Sequence, residues 1–470
     1  AMAMAMASCH AEVPVARQET MQPQSQQQAR SRKGSSKMLK AAFLSLASPL
    51  SWLSLSLHFS YCHAFAIGRP ATDLLEHPPR IGVSKLYASK DVGADSNVGT
   101  NTAGTGPKPI IAVIGSGAVG CYYGARLYET GLHDVRFHMR GDHYTLSKSN
   151  GLNVTSYYGD IFIPPEELGA YDDPNDMGTA DWVIVALKST SLNAAPALVR
   201  PLLGAHTRVI AIMNGMIDQD FVDMLENDPL DGEEKKDNID TDHSHHQHYL
   251  SGVPALPQKL TCCASIYAGM ALVCSNKIGP GRIDHSYAGK LTGALSASSS
   301  DSWTRHGNQD EERQAFFDLW GATKIEHVYE EDLTRGRWSK MCWNLPFNGI
   351  SVAMGGITVD KIVNDPGLRR LAYMVIDETI AAGNADLEGR GAEPSAFLGK
   401  SEKDAMMNLS DTMGPYKPST MLDFKARRPM EVKYLFRKPL DRAKQLNVPV
   451  PHLETLVTQI EAFQRMYDLY

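Results

Sequence analysis

The chain has no surplus of basic residues. Its 470 residues carry a formal charge of -7, and that balance points to no nucleic-acid partner. Cysteine is scarce and unpatterned. Of seven, Cys9 and Cys62 fall in an N-terminal leader; Cys121, Cys262, Cys263, Cys274 and Cys342 remain, an odd set without the paired spacing of a zinc site or a disulfide framework. They read as reduced, mostly buried thiols. There is no internal repeat, which excludes a solenoid. A periodic apolar pattern is also missing from residues 1 to about 106, which hold Ala-Met repeats, a Gln-rich tract and the basic cluster Arg30-Ser-Arg-Lys33. A segment of that kind contributes nothing to a folded core.

What the leader does contain is an uncharged stretch from Ala41 to Gly68, with Lys37 and Lys40 ahead of it. This is the make-up of a signal-peptide core. It is long enough to span a bilayer, but its serines and Pro49 argue against an uncleaved anchor, so no stable membrane association is expected after leader removal. The core ends at Cys62-His-Ala-Phe-Ala-Ile67, which resembles the Ala-Phe junction of the two-part plastid leaders of algae with complex plastids. Cleavage between Ala64 and Phe65 and delivery to a plastid follow from that resemblance. Mitochondrial, endomembrane or cytoplasmic residence are the alternatives.

From Pro107 onward the sequence changes character. Short apolar runs at Ile110–Ile114, Val135–Met139, Trp182–Ala186 and Val209–Met213 alternate with helical patterns, the mark of a parallel sheet buried on both faces. The first run leads at once into Gly115, Ser116, Gly117, Ala118, Val119 and Gly120. In a strand–turn–helix context these glycines give a tight turn, an approach for a pyrophosphate and close helix packing, with the helix N-terminus facing the phosphates. That helix is expected from Ala118 to about Thr130, ended by Gly131. Residues 228–249, with Asp242-His-Ser-His-His-Gln-His248, read as a charged, solvated insertion rather than a metal site. A β-rich stretch follows Lys259, with a hairpin near Gly279-Pro-Gly281, and the pattern is helical from Glu331. The fold class is therefore α/β: a leader and linker over 1–106, a Rossmann-type dinucleotide-binding domain over 107–331 and an all-α domain over 332–470.

Arg140 follows the second strand, where such folds meet the adenosine ribose. An acidic residue there accepts the 2′-hydroxyl of NAD, whereas arginine accommodates the 2′-phosphate of NADPH. In the helical part, Lys340 and Asn344 are four apart and share a helix face, with Asn348 a further turn on. A lysine so placed can polarise a ketone and protonate the developing alkoxide. Pro346 lies inside this helix and removes a backbone hydrogen bond, which can kink a helix, so whether Asn348 reaches the substrate is left open by the sequence. Farther on, Pro429 suits the first position of a helix and puts Glu431 in its first turn, where the dipole favours a carboxylate.

The glycine motif, Arg140-Gly-Asp-His143 leading to Gly151-Leu-Asn-Val154, Ala180-Asp-Trp-Val-Ile-Val-Ala-Leu-Lys-Ser189, Asn214-Gly-Met216 and Trp338-Ser-Lys-Met-Cys-Trp-Asn-Leu-Pro-Phe-Asn348 resemble the ketopantoate reductase family from about Lys108 to the C-terminus. The resemblance implies reduction of 2-dehydropantoate to pantoate with NADPH, toward pantothenate and coenzyme A, by a monomer or homodimer acting on a small 2-oxo acid. It makes Lys340 the proton donor and Glu431 its acidic partner. It puts Lys188 and Asn214 on the nicotinamide side, with Gly269 of Tyr267-Ala-Gly269 as a further cofactor contact, and Asn214, Asn344, Asn348 and Ser419 on the substrate. Two features depart from the family pattern: Gly349 stands where proline usually follows the second asparagine, and Thr420 interrupts the usual Ser-Met order. A family reductase for another branched 2-oxo acid and a non-catalytic NADPH sensor are the alternative functions.

Overall fold

Five-residue apolar runs with no room for a polar face make strands that are covered on both sides, and the computed structural model places them at the centre of a sheet. The structure describes residues 106–226, 260–300 and 309–470. The leader with its Ala64-Phe65 junction, Cys9, Cys62 and the histidine-bearing insertion lie outside the described residues. The strands are β1 (Ile110–Ile114), β2 (Asp134–His138), β3 (Leu152–Ser156), β4 (Ile161–Ile163), β5 (Gly169–Tyr171), β6 (Trp182–Val185), β7 (Arg208–Ile212), β8 (Ser265–Gly279), β9 (Arg282–Ser298) and β10 (His327–Tyr329). They form one sheet in the order β4-β3-β9-β8-β7-β6-β1-β2-β5, with β10 against β9. From β5 to β8 every pairing is parallel.

The expectation of a parallel sheet holds for that half only. The Gly279-Pro-Gly281 turn joins β8 and β9 into a long antiparallel hairpin, and β3–β4 is antiparallel as well. The hairpin outruns the sheet: only Ser265–Gly269 of β8 pairs with β7, and the rest continues with β9 to reach β3. Four helices accompany the strands up to residue 226, α1 (Ala118–Glu129), α2 (Asp142–Asn150), α3 (Ala195–Val199) and α4 (Asp218–Glu226), and α5 (Asp310–Trp320) precedes β10.

The remaining helices are α6 (Leu333–Ala353), α7 (Val359–Asn364), α8 (Pro366–Gly389), α9 (Lys400–Thr412), α10 (Ser419–Lys425), α11 (Lys438–Gln445) and α12 (Pro451–Tyr467). Asp332 starts α6 by accepting the amides of Thr334 and Arg335 at 2.8 and 3.1 Å, which satisfies donors that a helix start leaves free. Buried Asp386 of α8 then ties three elements, accepting from Trp338 Nε1 of α6 at 2.9 Å and from Arg442 of α11 at 2.6 Å. Two apolar cores result. One spans Ile111 to Tyr329 and borrows Tyr434, and the other spans Trp338 to Leu469. Functional groups gather where the two meet.

Candidate active site

The nucleotide turn is built from backbone. Gly115 has φ +89°, and a Cβ there would lie 2.7 Å from the Ala186 carbonyl carbon beyond β6, a conformation and an approach only glycine allows. A Cβ on Gly120 would lie 2.4 Å from the Gly115 oxygen, whereas one on Gly117 meets no atom closer than 4.0 Å. The middle glycine thus leaves open space at the start of α1. Close packing of α1 on the sheet uses Gly120, whose Cβ would also come within 3.2 Å of the Ala186 side chain, and extends to Gly124, whose missing side chain makes room for Phe137 and Val113. Among the described residues the buried Ser116 hydroxyl has no hydrogen-bond partner. An open amide turn, an unmatched hydroxyl and no acidic residue in the first turn of α1 suit a phosphate-bearing cofactor. Arg140, exposed just past β2, has no carboxylate partner among the described residues. Gly269 has a different explanation: it lies inside the sheet opposite Ile212 and Gly293, and a Cβ on it would lie 2.7 Å from the Ile212 side chain. Its small size serves strand packing.

Across from this turn, the helical half presents its polar groups. Proline does not break α6: the helix runs unbroken through Pro346, and Asn348 Nδ2 donates to Asn344 Oδ1 at 3.5 Å. Asn348 therefore stays one turn beyond Asn344 on the face they share with Lys340. Asn348 Oδ1 also accepts the Thr420 amide at 3.1 Å. Ser419 is exposed at the first position of α10, while its neighbour Thr420 is buried.

Lys340 is half-buried and has no carboxylate partner among the described residues. Burial pushes its ammonium from the ordinary 10.5 down to about 8; Cys274 of β8 works against that and the Arg337 charge adds to it. Arg337 fixes α6 against the cofactor domain, donating to both oxygens of Asp218 at 2.8 and 2.6 Å and to the Met213 carbonyl at 3.0 Å. Arg337 thereby holds α6 against the residue that follows β7, and Lys340 lies near Cys274 within β8.

Glu431 spans the junction. Its Oε1 accepts the Ser189 amide at 2.8 Å and its Oε2 accepts from Asn214 Nδ2 at 3.3 Å. The expected helix start one residue past Arg428 is not formed: Pro429 to Glu431 are non-helical and the helix opens at Val432. It opens with a wide turn over Lys433–Arg437. In that turn the Lys438 amide bonds Lys433 O, one residue earlier than in an α-helix, and Tyr434 O is left to accept the Met216 amide at 2.9 Å. Gly215 makes the contact possible, since a Cβ there would lie 2.6 Å from the Tyr434 carbonyl. Such widened turns recur at functional sites. Here it clips the Asn214-Gly215-Met216 turn to the segment that carries Glu431.

Lys188 reaches the helical half as well, pairing with both oxygens of Asp423 at 2.5 and 2.6 Å. Asp423 also accepts from Arg428 at 3.0 Å and is 1% exposed. Its place between Ser419 and Glu431 was the only sequence signal for it; nothing local identified Arg337 or Cys274. The structure thus joins Lys188 to Asp423 and Asn214 to Glu431 across the domain junction, and Asn344 and Asn348 to Thr420 within the helical half; Lys340 shares α6 with the asparagines, Ser419 is exposed beside Thr420, and Arg140 lies at the nucleotide end. An ammonium with a lowered affinity for its proton beside amide and carboxylate groups can bind a polar acid and move a proton to or from it. Among the described residues no cluster fit to hold a metal is found, and no helix is long and apolar enough to cross a membrane.

Comparison with known proteins assigns both halves. Residues 111–229 match the model for ketopantoate reductase PanE/ApbA and residues 332–464 the model for its C-terminal domain. The 2-dehydropantoate 2-reductase of Nostoc sp. is 30% identical over 352 residues, spanning 74% of this chain and 93% of that protein. The crystal structure of 2-dehydropantoate 2-reductase from Geobacter metallireducens superposes with a TM-score of 0.61 at 28% identity, covering 75% of this chain and 99% of that one. A D-mandelate dehydrogenase solved with NADH and anilino(oxo)acetate shares the fold at a TM-score of 0.58 and 15% identity, over 77% of this chain and all of that one. With both family models matched in order over more than half of its length, this chain belongs to the ketopantoate reductase family, NAD(P)H-dependent oxidoreductases of 2-oxo acids.

Proposed function

We propose that this protein is an NADPH-dependent 2-dehydropantoate 2-reductase, forming pantoate for pantothenate and coenzyme A synthesis. The observation that carries the reading is the row Lys340, Asn344, Asn348 on one unbroken face of α6, packed by Arg337 against the end of β7. When bound, the cofactor supplies a hydride to the substrate C2. The chain's part is to hold the acid and deliver the proton. Lys340 Nζ polarises the ketone and gives its proton to the oxygen as negative charge develops there, so ketone, hydride and proton together become the hydroxyl acid. Asn344, Asn348 and Ser419 meet the polar groups of the substrate, which would otherwise be buried unpaired at a cost of several kcal/mol. Glu431 orients Asn214 and the Ser189 amide at the nicotinamide side, where Lys188 is held by Asp423. Arg140 faces the 2′-phosphate, and Gly115, Ser116, Gly117, Ala118, Val119 and Gly120 cradle the pyrophosphate.

A second reading is reduction of a different branched 2-oxo acid at the same site, favoured by the fold shared with D-mandelate dehydrogenase. Following NADPH and NADH oxidation with a panel of 2-oxo acids decides between them. The highest kcat/KM is expected for 2-dehydropantoate with NADPH; a higher value for another acid moves the assignment to that acid, and no turnover of any acid ends it. For the leader we propose plastid delivery through the secretory route. A fusion of residues 38 to 106 to a fluorescent protein tests it, and uniform cytosolic fluorescence rejects it.

A further inference from the structure

Arginine stands just past α10 at a position that suits glycine. The helix ends in a paired closure, in which the Arg427 amide bonds Phe424 O at 3.2 Å and the Arg428 amide bonds Asp423 O at 2.9 Å. Such a closure puts its first residue beyond the cap in the left-handed region, where glycine is usual because a Cβ is disfavoured there. Arg427 has φ +54°, so the chain accepts local strain to hold a guanidinium at this point. Its Cζ lies 3.5 Å from the centre of the Tyr467 ring and 5.8 Å from that of Phe424. Phe463 completes the aromatic floor, 5.2 Å from Phe424 and stacked with Tyr467 at 6.0 Å.

With Lys425 and Gly355 these residues line a cleft of about 240 Å³. Two glycines shape it. A Cβ on Gly355 would meet nothing within 4 Å, whereas one on Gly356 would lie 2.3 Å from Lys425 Cε, so the lysine stem passes where a side chain would otherwise stand. No acidic residue lines the cleft. Neither Lys425 nor Arg427 has a carboxylate partner among the described residues, whereas the next residue, Arg428, is paired with Asp423.

An arginine stacked on an aromatic ring keeps its N–H edge for bidentate bonds to an anion, and a lysine beside it adds a point charge. The neighbouring rings give a flat apolar body its contact area. We propose that this cleft binds a phosphate monoester with a small planar body, the phosphate held by Arg427 and Lys425 and the body lying on Phe424 and Phe463. Two cations without carboxylates match the near-dianionic head of a phosphate monoester better than the single charge of a carboxylate. Lys425 and Arg427 are exposed on the segment whose buried Asp423 holds Lys188, and the cleft contains none of the residues assigned to the reductase site. The inference therefore stands apart from which acid the protein reduces.

The test is calorimetric titration of the full-length protein with phenyl phosphate, in saturating NADPH so that the nucleotide turn does not take up the phosphate. Inorganic phosphate supplies the head alone, and benzoate the ring with a single charge. Phenyl phosphate is expected to saturate one site per chain and to bind at least about tenfold more tightly than either. Lys425→Gln and Arg427→Gly should each weaken it at least about tenfold, the size of one charge-assisted hydrogen bond. The Tm of Arg427→Gly should be unchanged or raised, because glycine adopts the left-handed conformation without strain. The proposal is overturned if binding does not saturate, if Arg427→Gly binds as tightly as the unmodified protein, or if inorganic phosphate or benzoate equals phenyl phosphate. If Arg427→Gly lowers the Tm, Lys425→Gln decides alone, since its side chain is exposed: loss of binding there supports the site, and retained binding overturns it.

Discussion

The nucleotide turn and the α6 row solve the same problem, holding a charged ligand in place, by opposite means. At the turn the work is done by backbone that has no side chains in the way, drawn from consecutive residues, with Arg140 exposed to solvent. At the α6 row it is done by side chains drawn from segments as far apart as Lys188 and Asp423, mostly buried and already bonded to one another. A site of the first kind tolerates no added atoms but has few polar groups to lose. A site of the second kind holds its shape through polar pairs, and loses function when one reactive group is removed.

That contrast makes Lys340→Ala the most damaging substitution for chemistry and nearly silent for cofactor binding. General acid catalysis contributes about 10²–10⁴-fold, so kcat is expected to fall at least roughly 10²-fold with NADPH affinity changed only a few-fold. Single-turnover kinetics with a fluorescence titration of NADPH check both halves. Near-normal kcat would move the proton to another donor, Lys188 being the next cation at the junction. Gly120→Ala should behave in the reverse way. Its new Cβ would meet the Gly115 carbonyl at 2.4 Å, and strain of about 1–3 kcal/mol should weaken NADPH binding roughly tenfold or more, with Lys340 chemistry intact at saturating cofactor. Unchanged NADPH affinity in that variant would show that the turn has room the geometry does not display.

Smaller again is Arg140→Ala. A charge-assisted hydrogen bond is worth about 1.5–3 kcal/mol, so KM for NADPH should rise about tenfold and KM for NADH hardly at all. Equal use of the two cofactors by the unmodified protein would detach Arg140 from the 2′-phosphate.

The same contrast decides what could be read in advance. The β1–turn–α1 unit was legible because its apolar run, glycines and helix are contiguous, each favouring the same local structure. The strands β3, β4, β5 and β10 were not, since β4, β5 and β10 are three residues long and β3 alternates buried and exposed residues and pairs with Arg282–His285 of β9. Lys340, Asn344 and Asn348 were placed on one face by helical spacing alone, and α6 accommodates Pro346 within an otherwise continuous helix. Glu431 was found, but its helix start was misplaced: the Pro429 signal is local, whereas the actual start is accompanied by the Met216–Tyr434 bond and by the grip of Glu431 on Ser189 and Asn214. Partners more than two hundred residues apart leave no mark in a local pattern. The grip of Asp423 on Lys188 is of that kind, at a separation of 235 residues.

The finest test of the contrast is pH, because the two ends of the site should respond to it differently. Burial brings the Lys340 ammonium down to about 8, below the ordinary 10.5, so the proton to be donated is present below that point and lost above it. The sign for reduction follows directly. kcat/KM should be level on the acid side, halve near pH 8 and fall about tenfold per unit beyond it, as expected when one essential acid of the free enzyme titrates. Oxidation of the hydroxy acid needs the neutral amine and should rise through the same midpoint. An arginine side chain is not deprotonated in proteins, so NADPH affinity should stay flat across this range. Lys340→Arg, which cannot release its proton there, should be slow and lose the midpoint in both directions. A midpoint that persists in Lys340→Arg would assign the titrating acid to another group and separate the α6 row from the chemistry it is proposed to perform.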